Sequence, residues 1–195
     1  IEIKPFIITG SQEYRTDEDG QAIESDLLSD IGLDVKYGIT SNLTLDLTLN
    51  TDFAQVESDN VQLNLTRFNL FFPEKREFFL ERAGLFNFGD ARENEIFFSR
   101  TIGIENDILA GGRLTGQVGP MSLGAMNIQT EEAKELELPG ANNTVIRVRG
   151  DVANRATIGG LFTNITRAGK YALPEDYNRV GGIDANVRFW QSSSI

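Results

Sequence analysis

The chain has 195 residues, with 18 basic against 29 acidic side chains, a net charge of −11, and neither His nor Cys. Without His there is no imidazole base, Ser-His-Asp triad or His-held zinc, and without Cys there is no thiolate nucleophile, Cys-held metal or disulfide. So acidic a chain is a poor phosphate-binding surface, so nucleic acid is not an expected partner, and carboxylate chemistry, oxygen-ligated cations or no chemistry remain.

The length fits one domain, taken here as residues 1–195. No apolar run approaches the ~18 residues of a membrane-crossing helix. Ile1-Glu2-Ile3-Lys4 opens without the charged and apolar regions of a signal peptide. A transmembrane β-barrel stays compatible, because its apolar residues fall at alternate positions and dilute the mean hydropathy.

In chain order, residues 1–14 predict a first strand and the acidic stretch 15–26 a long polar connection. Ile31, Leu33, Val35 and Tyr37 then share one face opposite Asp34 and Lys36. Leu43, Leu45, Leu47 and Leu49 alternate with Thr44, Asp46, Thr48 and Asn50, and residues 39–42 suit the hairpin between the two runs. Helical spacing would scatter those leucines, whereas strand spacing puts them on one face. The rhythm breaks over 52–89, where eight of the 13 Phe lie between Phe53 and Phe88. A short strand is predicted over 96–103.

Regular alternation returns at 108–118, where Ile108, Ala110, Gly112, Leu114, Gly116 and Val118 are expected on one face and Gly111, Arg113 and Thr115 on the other. Gly119-Pro120 predicts a tight turn into 121–129. Over 144–151, Arg147 and Arg149 oppose Ile146 and Val148. Strands follow over 156–166 and 180–190, the latter with Ile183, Ala185, Val187 and Phe189 opposite Asp184, Asn186 and Arg188. The total is roughly eight to ten strands of about 8–12 residues, the length of a tilted membrane-crossing strand. Short links (39–42, 119–120, 153–154) alternate with long polar ones (15–26, 130–142, 167–179), as tight turns and long loops do in outer-membrane barrels.

Several runs carry a family resemblance: residues 43–50 leading into Asp52-Phe53-Ala54-Gln55-Val56-Glu57, Asn64-Leu65-Thr66-Arg67-Phe68, and Phe71-Phe72-Pro73-Glu74-Lys75-Arg76. Phe78-Phe79-Leu80-Glu81, Ser99-Arg100 with Ile102-Gly103, and Asn178-Arg179-Val180 leading to Phe189-Trp190 extend it over nearly the whole chain. The sequence resembles the uncharacterised domain that follows a family-9 carbohydrate-binding module in large Gram-negative cell-surface proteins. It departs from that pattern at Ser58, Glu77 and Thr101. The resemblance implies an outer-membrane β-barrel, in proteins also labelled membrane-associated hydrolases. The family's domain is longer than this chain, which therefore resembles a section of the barrel. No catalytic motif comes with the resemblance.

Asp52, Glu57 and Asp59 offer clustered carboxylate oxygens of the kind Ca²⁺ takes, without the spacing of an EF-hand loop. Pairing with Arg67, Lys75 and Arg76 is the other reading of the same residues. Glu74 and Glu81 with Asp52 or Glu57 could form the carboxylate pair of a glycosidase, but that chemistry depends on a separation the sequence does not give. Arg67, Glu74, Lys75, Arg76 and Glu81 read as structural charges facing a barrel lumen, where unpaired charge is costly. Tyr37, Tyr171, Phe189 and Trp190 suit either an aromatic girdle at a membrane interface or a soluble core. The expected fold is all-β, an antiparallel up-and-down transmembrane barrel or a large section of one, with the insert 52–89 in or capping the lumen. The expected function is an outer-membrane scaffold or passage associated with glycan binding or uptake. Lipid, poly- or oligosaccharide and other envelope proteins are its partners, and no cofactor is expected beyond the Ca²⁺ candidate. The alternatives are a carboxylate-dependent glycan hydrolase and a soluble β-sandwich binding module.

Overall fold

In the computed structural model the described residues are 1–15, 23–50, 74–89, 96–104, 106–153 and 155–187. They form one antiparallel sheet of eight strands in sequence order. The strands are β1 (Glu2–Arg15), β2 (Ile23–Thr40), β3 (Leu43–Leu49), β4 (Ile108–Val118), β5 (Met121–Thr130), β6 (Gly140–Ala153), β7 (Ala156–Ala168) and β8 (Tyr177–Val187). The sheet does not close on itself, and β1 and β8 are its two edges. Among the described residues helix is confined to one turn, α1 (Glu77–Leu80), and short 3₁₀ turns at Ala83–Phe86 and Ser99–Thr101. None of it is long and apolar enough to cross a membrane.

Connections alternate strictly. Residues 41–42, 119–120 and 154–155 join β2–β3, β4–β5 and β6–β7 at one rim, while 16–22, 50–107, 131–139 and 169–176 make the long links at the other. The longest still joins neighbours, because β3 pairs β4 from Leu43↔Gly116 to Leu49↔Ala110. Asn50 secures that junction: its N–H donates to the Leu109 carbonyl at 2.8 Å and its side-chain amide to the Ile31 carbonyl at 2.8 Å.

The two faces of the sheet differ in kind. On β3, Asp46 and Thr48 are 6% and 1% exposed, whereas Leu47 and Leu49 are 44% and 51% exposed. Arg113, Thr115, Arg147 and Thr163 are buried on the same face as Asp46, while Ile146, Val148, Ile158, Phe162 and Ile183 are exposed on the other. The buried face is thus the charged one, opposite to the usual one-sided sheet.

Residues 74–89 and 96–104 cover this charged face. Phe79, Phe86 and Ile102 form the core with Ile108, Met126, Ile128, Val145 and Leu161 of the sheet, and Phe78, Phe88, Ile96 and Phe97 pack around it. Glycines make room for the rings: a Cβ at Gly124 would lie 3.0 Å from Phe86, and one at Gly182 would lie 2.5 Å from Phe88.

Two expectations need correction. Residues 96–103 contain a 3₁₀ turn instead of a strand. Ile108 is 2% exposed on the charged face, because a bulge between Ile108 and Ala110 shifts the register and reverses its side.

Candidate functional site

Alternation along β3, β4 and β6 aims Asp46, Arg113 and Arg147 at the covering segment. Arg113 donates to Asp46 Oδ2 at 2.9 Å through Nη2, and to the Glu81 carbonyl at 2.8 Å through Nη1. Its guanidinium also lies 5.2 Å from the Phe78 ring centroid. Lys36 pairs with Glu81 and lies 3.9 Å from Asp46. These contacts tie residues from β2, β3 and β4 to the end of α1.

A second centre lies within the covering segment. Arg76 meets Glu74 with two bonds of 2.7 Å, donates to the Ser99 carbonyl at 2.6 Å, and reaches the Ile102 carbonyl. Ser99 Oγ donates to Glu74 Oε2 at 2.7 Å, and the Arg76 guanidinium stacks 4.2 Å from the Phe79 centroid. Burial pushes the Glu74 carboxyl up, but the bonds from Arg76 and Ser99 outweigh it and hold the group below its ordinary value. The hydrogen bond from Lys36 holds the Glu81 carboxyl below its ordinary value against a smaller effect of burial.

The third centre is Arg147 of β6, which bridges to Asp184 of β8 at 2.6 and 2.8 Å. Asp184 also accepts from the Gly89 N–H at 3.2 Å, anchoring the far end of the 74–89 segment. Phe88 lies 5.6 Å from the Arg147 guanidinium.

Of the residues singled out from sequence, Glu74, Arg76 and Glu81 come into these clusters and Lys75 is exposed. Arg67 and the Ca²⁺ candidates Asp52, Glu57 and Asp59 lie outside the described residues, as do Phe189 and Trp190. Tyr37 is exposed on the apolar face, and Tyr171 sits in the β7–β8 connection with Lys170 5.1 Å from its ring. The described residues contain no group of three or more His, Cys, Asp or Glu able to hold a metal. Alternation alone marks Asp184 only as a member of the polar face of its strand. Its partnership with Arg147 depends on the β6–β7–β8 register, which no local pattern encodes.

The chain matches a family model described as a domain of unknown function, DUF5916, over residues 2–112. It belongs to that family. The matched region of this DUF5916 chain runs from β1 through the covering segment into β4. No curated protein and no solved structure matches the chain.

Proposed function

We propose that this sheet is part of the wall of a β-barrel in the outer membrane of a Gram-negative bacterium, with residues 52–89 as an aromatic-rich insert in or capping its lumen. The barrel acts as a membrane-embedded scaffold or passage in glycan binding or uptake, with lipid, oligosaccharide and other envelope proteins as partners. The observation that carries this is the course of the apolar belt on the exposed face. One hydrogen-bonded row runs Leu47, Gly112, Asn127, Thr144, Asn164, Arg179 from β3 to β8, apolar at its start and polar at its end. Two rows toward the tight-turn rim, the series Leu43, Gly116, Leu123, Val148, Gly160, Ile183 is apolar throughout.

The belt therefore crosses the rows obliquely. A flat membrane cutting strands inclined by about 35–45° leaves such a slanted band. The polar corner above it is a hydrogen-bonded ladder, in which Asn127 donates to Asn142 at 2.8 Å and to Thr144 at 2.7 Å, and Arg179 donates to Asn164 at 2.9 Å. A soluble sandwich would cover the apolar face with a second sheet, and the described residues include none. A scaffold or passage is favoured over a hydrolase because Asp46, Glu74, Glu81 and Asp184 are each held by a cation.

The test uses two residues of one row. In lipid bilayers Leu47→Arg, within the belt, should cost about 2–4 kcal/mol, whereas Thr144→Arg, at its polar border, should cost about 0–1 kcal/mol. Denaturant titration of the full chain in vesicles measures both. Equal costs, or full folding of both variants in buffer without amphiphile, would remove the membrane assignment.

A further inference from the structure

Near the tight-turn rim, the ends of β6, β7 and β8 and the segment around Gly84–Gly89 line an open recess of about 720 Å³. That size falls within the roughly 300–1,000 Å³ of small-molecule sites. Its composition runs against the chain as a whole: in a protein of net charge −11 the recess is lined by Arg147, Arg149 and Arg155 against Asp151 and Asp184. Asp184 is already committed to Arg147. Among the described residues Arg149, Arg155 and Asp151 make no ion pair. Arg147 is 1% exposed, yet its Nε has no hydrogen-bond partner there. That Nε is sealed from solvent, so the donors the recess presents to a ligand are those of Arg149 and Arg155, both exposed.

We propose that this recess binds an oxyanion carried on a hydroxyl-rich body, a sugar bearing a carboxylate or phosphoryl group. Guanidinium groups match both oxyanions with paired N–H donors. Asn87, Thr157 and Asn186 supply neutral hydrogen-bonding groups around the same space, which suit hydroxyls better than an apolar ligand. The site depends on the charged face and its cover alone, so it stands apart from the membrane reading.

Binding is read by calorimetry on the folded full chain, in micelles or in plain buffer, so that failure of the membrane assignment leaves the experiment intact. The probes are trigalacturonate, glucose 1-phosphate, a neutral galactose trisaccharide and inorganic phosphate. At least one charged sugar should bind about tenfold or more tightly than the neutral sugar and inorganic phosphate, weakening as salt rises. Which charged sugar binds better identifies the oxyanion. Combining Arg149→Gln with Arg155→Gln should weaken that binding by about tenfold or more, and Arg155→Gln alone serves if the double variant does not fold. Arg179→Gln, on the opposite face, should leave it unchanged. The proposal is overturned if no charged sugar binds, if the neutral sugar or inorganic phosphate binds as tightly, or if the arginine variants retain full affinity.

Discussion

Arg76 has a side chain only 4% exposed, and its charge is tolerable because Glu74, at 11%, meets it with two bonds and two carbonyls take further donors. Removing Glu74 takes two charge-assisted bonds from a buried guanidinium, a loss larger than the pair's own net contribution. We predict that Glu74→Gln lowers unfolding stability by about 3 kcal/mol at neutral pH, as read from the urea midpoint. The pH dependence has a definite sign. Glu74 is held below its ordinary value of 4.5, so the stability it contributes is complete above that value and is lost as pH falls through the lower folded one. The native chain should lose stability across that acid window, and Glu74→Gln should lose less there. A variant as stable as the native chain at pH 7, with an unchanged acid limb, would show that the pair carries no such weight.

Among the strands, glycine positions separate close backbone approach from open surface. A Cβ at Gly116 would sit 2.0 Å from the Asn42 carbonyl oxygen, a backbone atom that cannot swing aside, whereas at Gly38 the nearest atom is 3.7 Å away. Gly116→Ala should therefore cost about 1–3 kcal/mol and disturb the β3–β4 pairing, while Gly38→Ala should stay within about 0.5 kcal/mol. Hydrogen exchange at the amides of residues 43–49 reads the difference, and equal protection in both variants would contradict it. The same scale explains what the sequence made legible. Alternation placed Asp46, Thr48, Arg113 and Arg147 on one face correctly, because a strand's period fixes sides without regard to its neighbours. It failed at Ile108, where one bulged residue reverses the side, and at 96–103, where the Ser99 and Ile102 carbonyls accept from Arg76 in place of a neighbouring strand. The ion-pair partners were illegible for a related reason: Arg147 and Asp184 meet across an intervening strand, so their pairing follows from register and twist.

For the whole molecule, the arrangement joins an exposed apolar face, a covered charged face and a covering segment held at separate points. Glu81 ties α1 to Lys36 and Arg113, Asp184 holds the Gly89 backbone, and Phe86 and Phe88 lie between those ties, with Phe78 and Phe79 just ahead of the first. If the wall continues into a closed barrel, this segment occupies its interior and limits passage through it. The Glu81 tie is the one whose loss would leave the least buried charge behind, since its side chain is 33% exposed and Arg113 keeps Asp46. Glu81→Gln should therefore leave the sheet folded while loosening one end of the segment. In planar bilayers, full-length protein carrying Glu81→Gln should show higher or more frequently fluctuating conductance than the native protein. The difference should shrink as salt is raised, because screening weakens the native tie as well. Identical conductance traces at low salt, with the variant shown to be folded and inserted, would mean that the segment does not gate the interior.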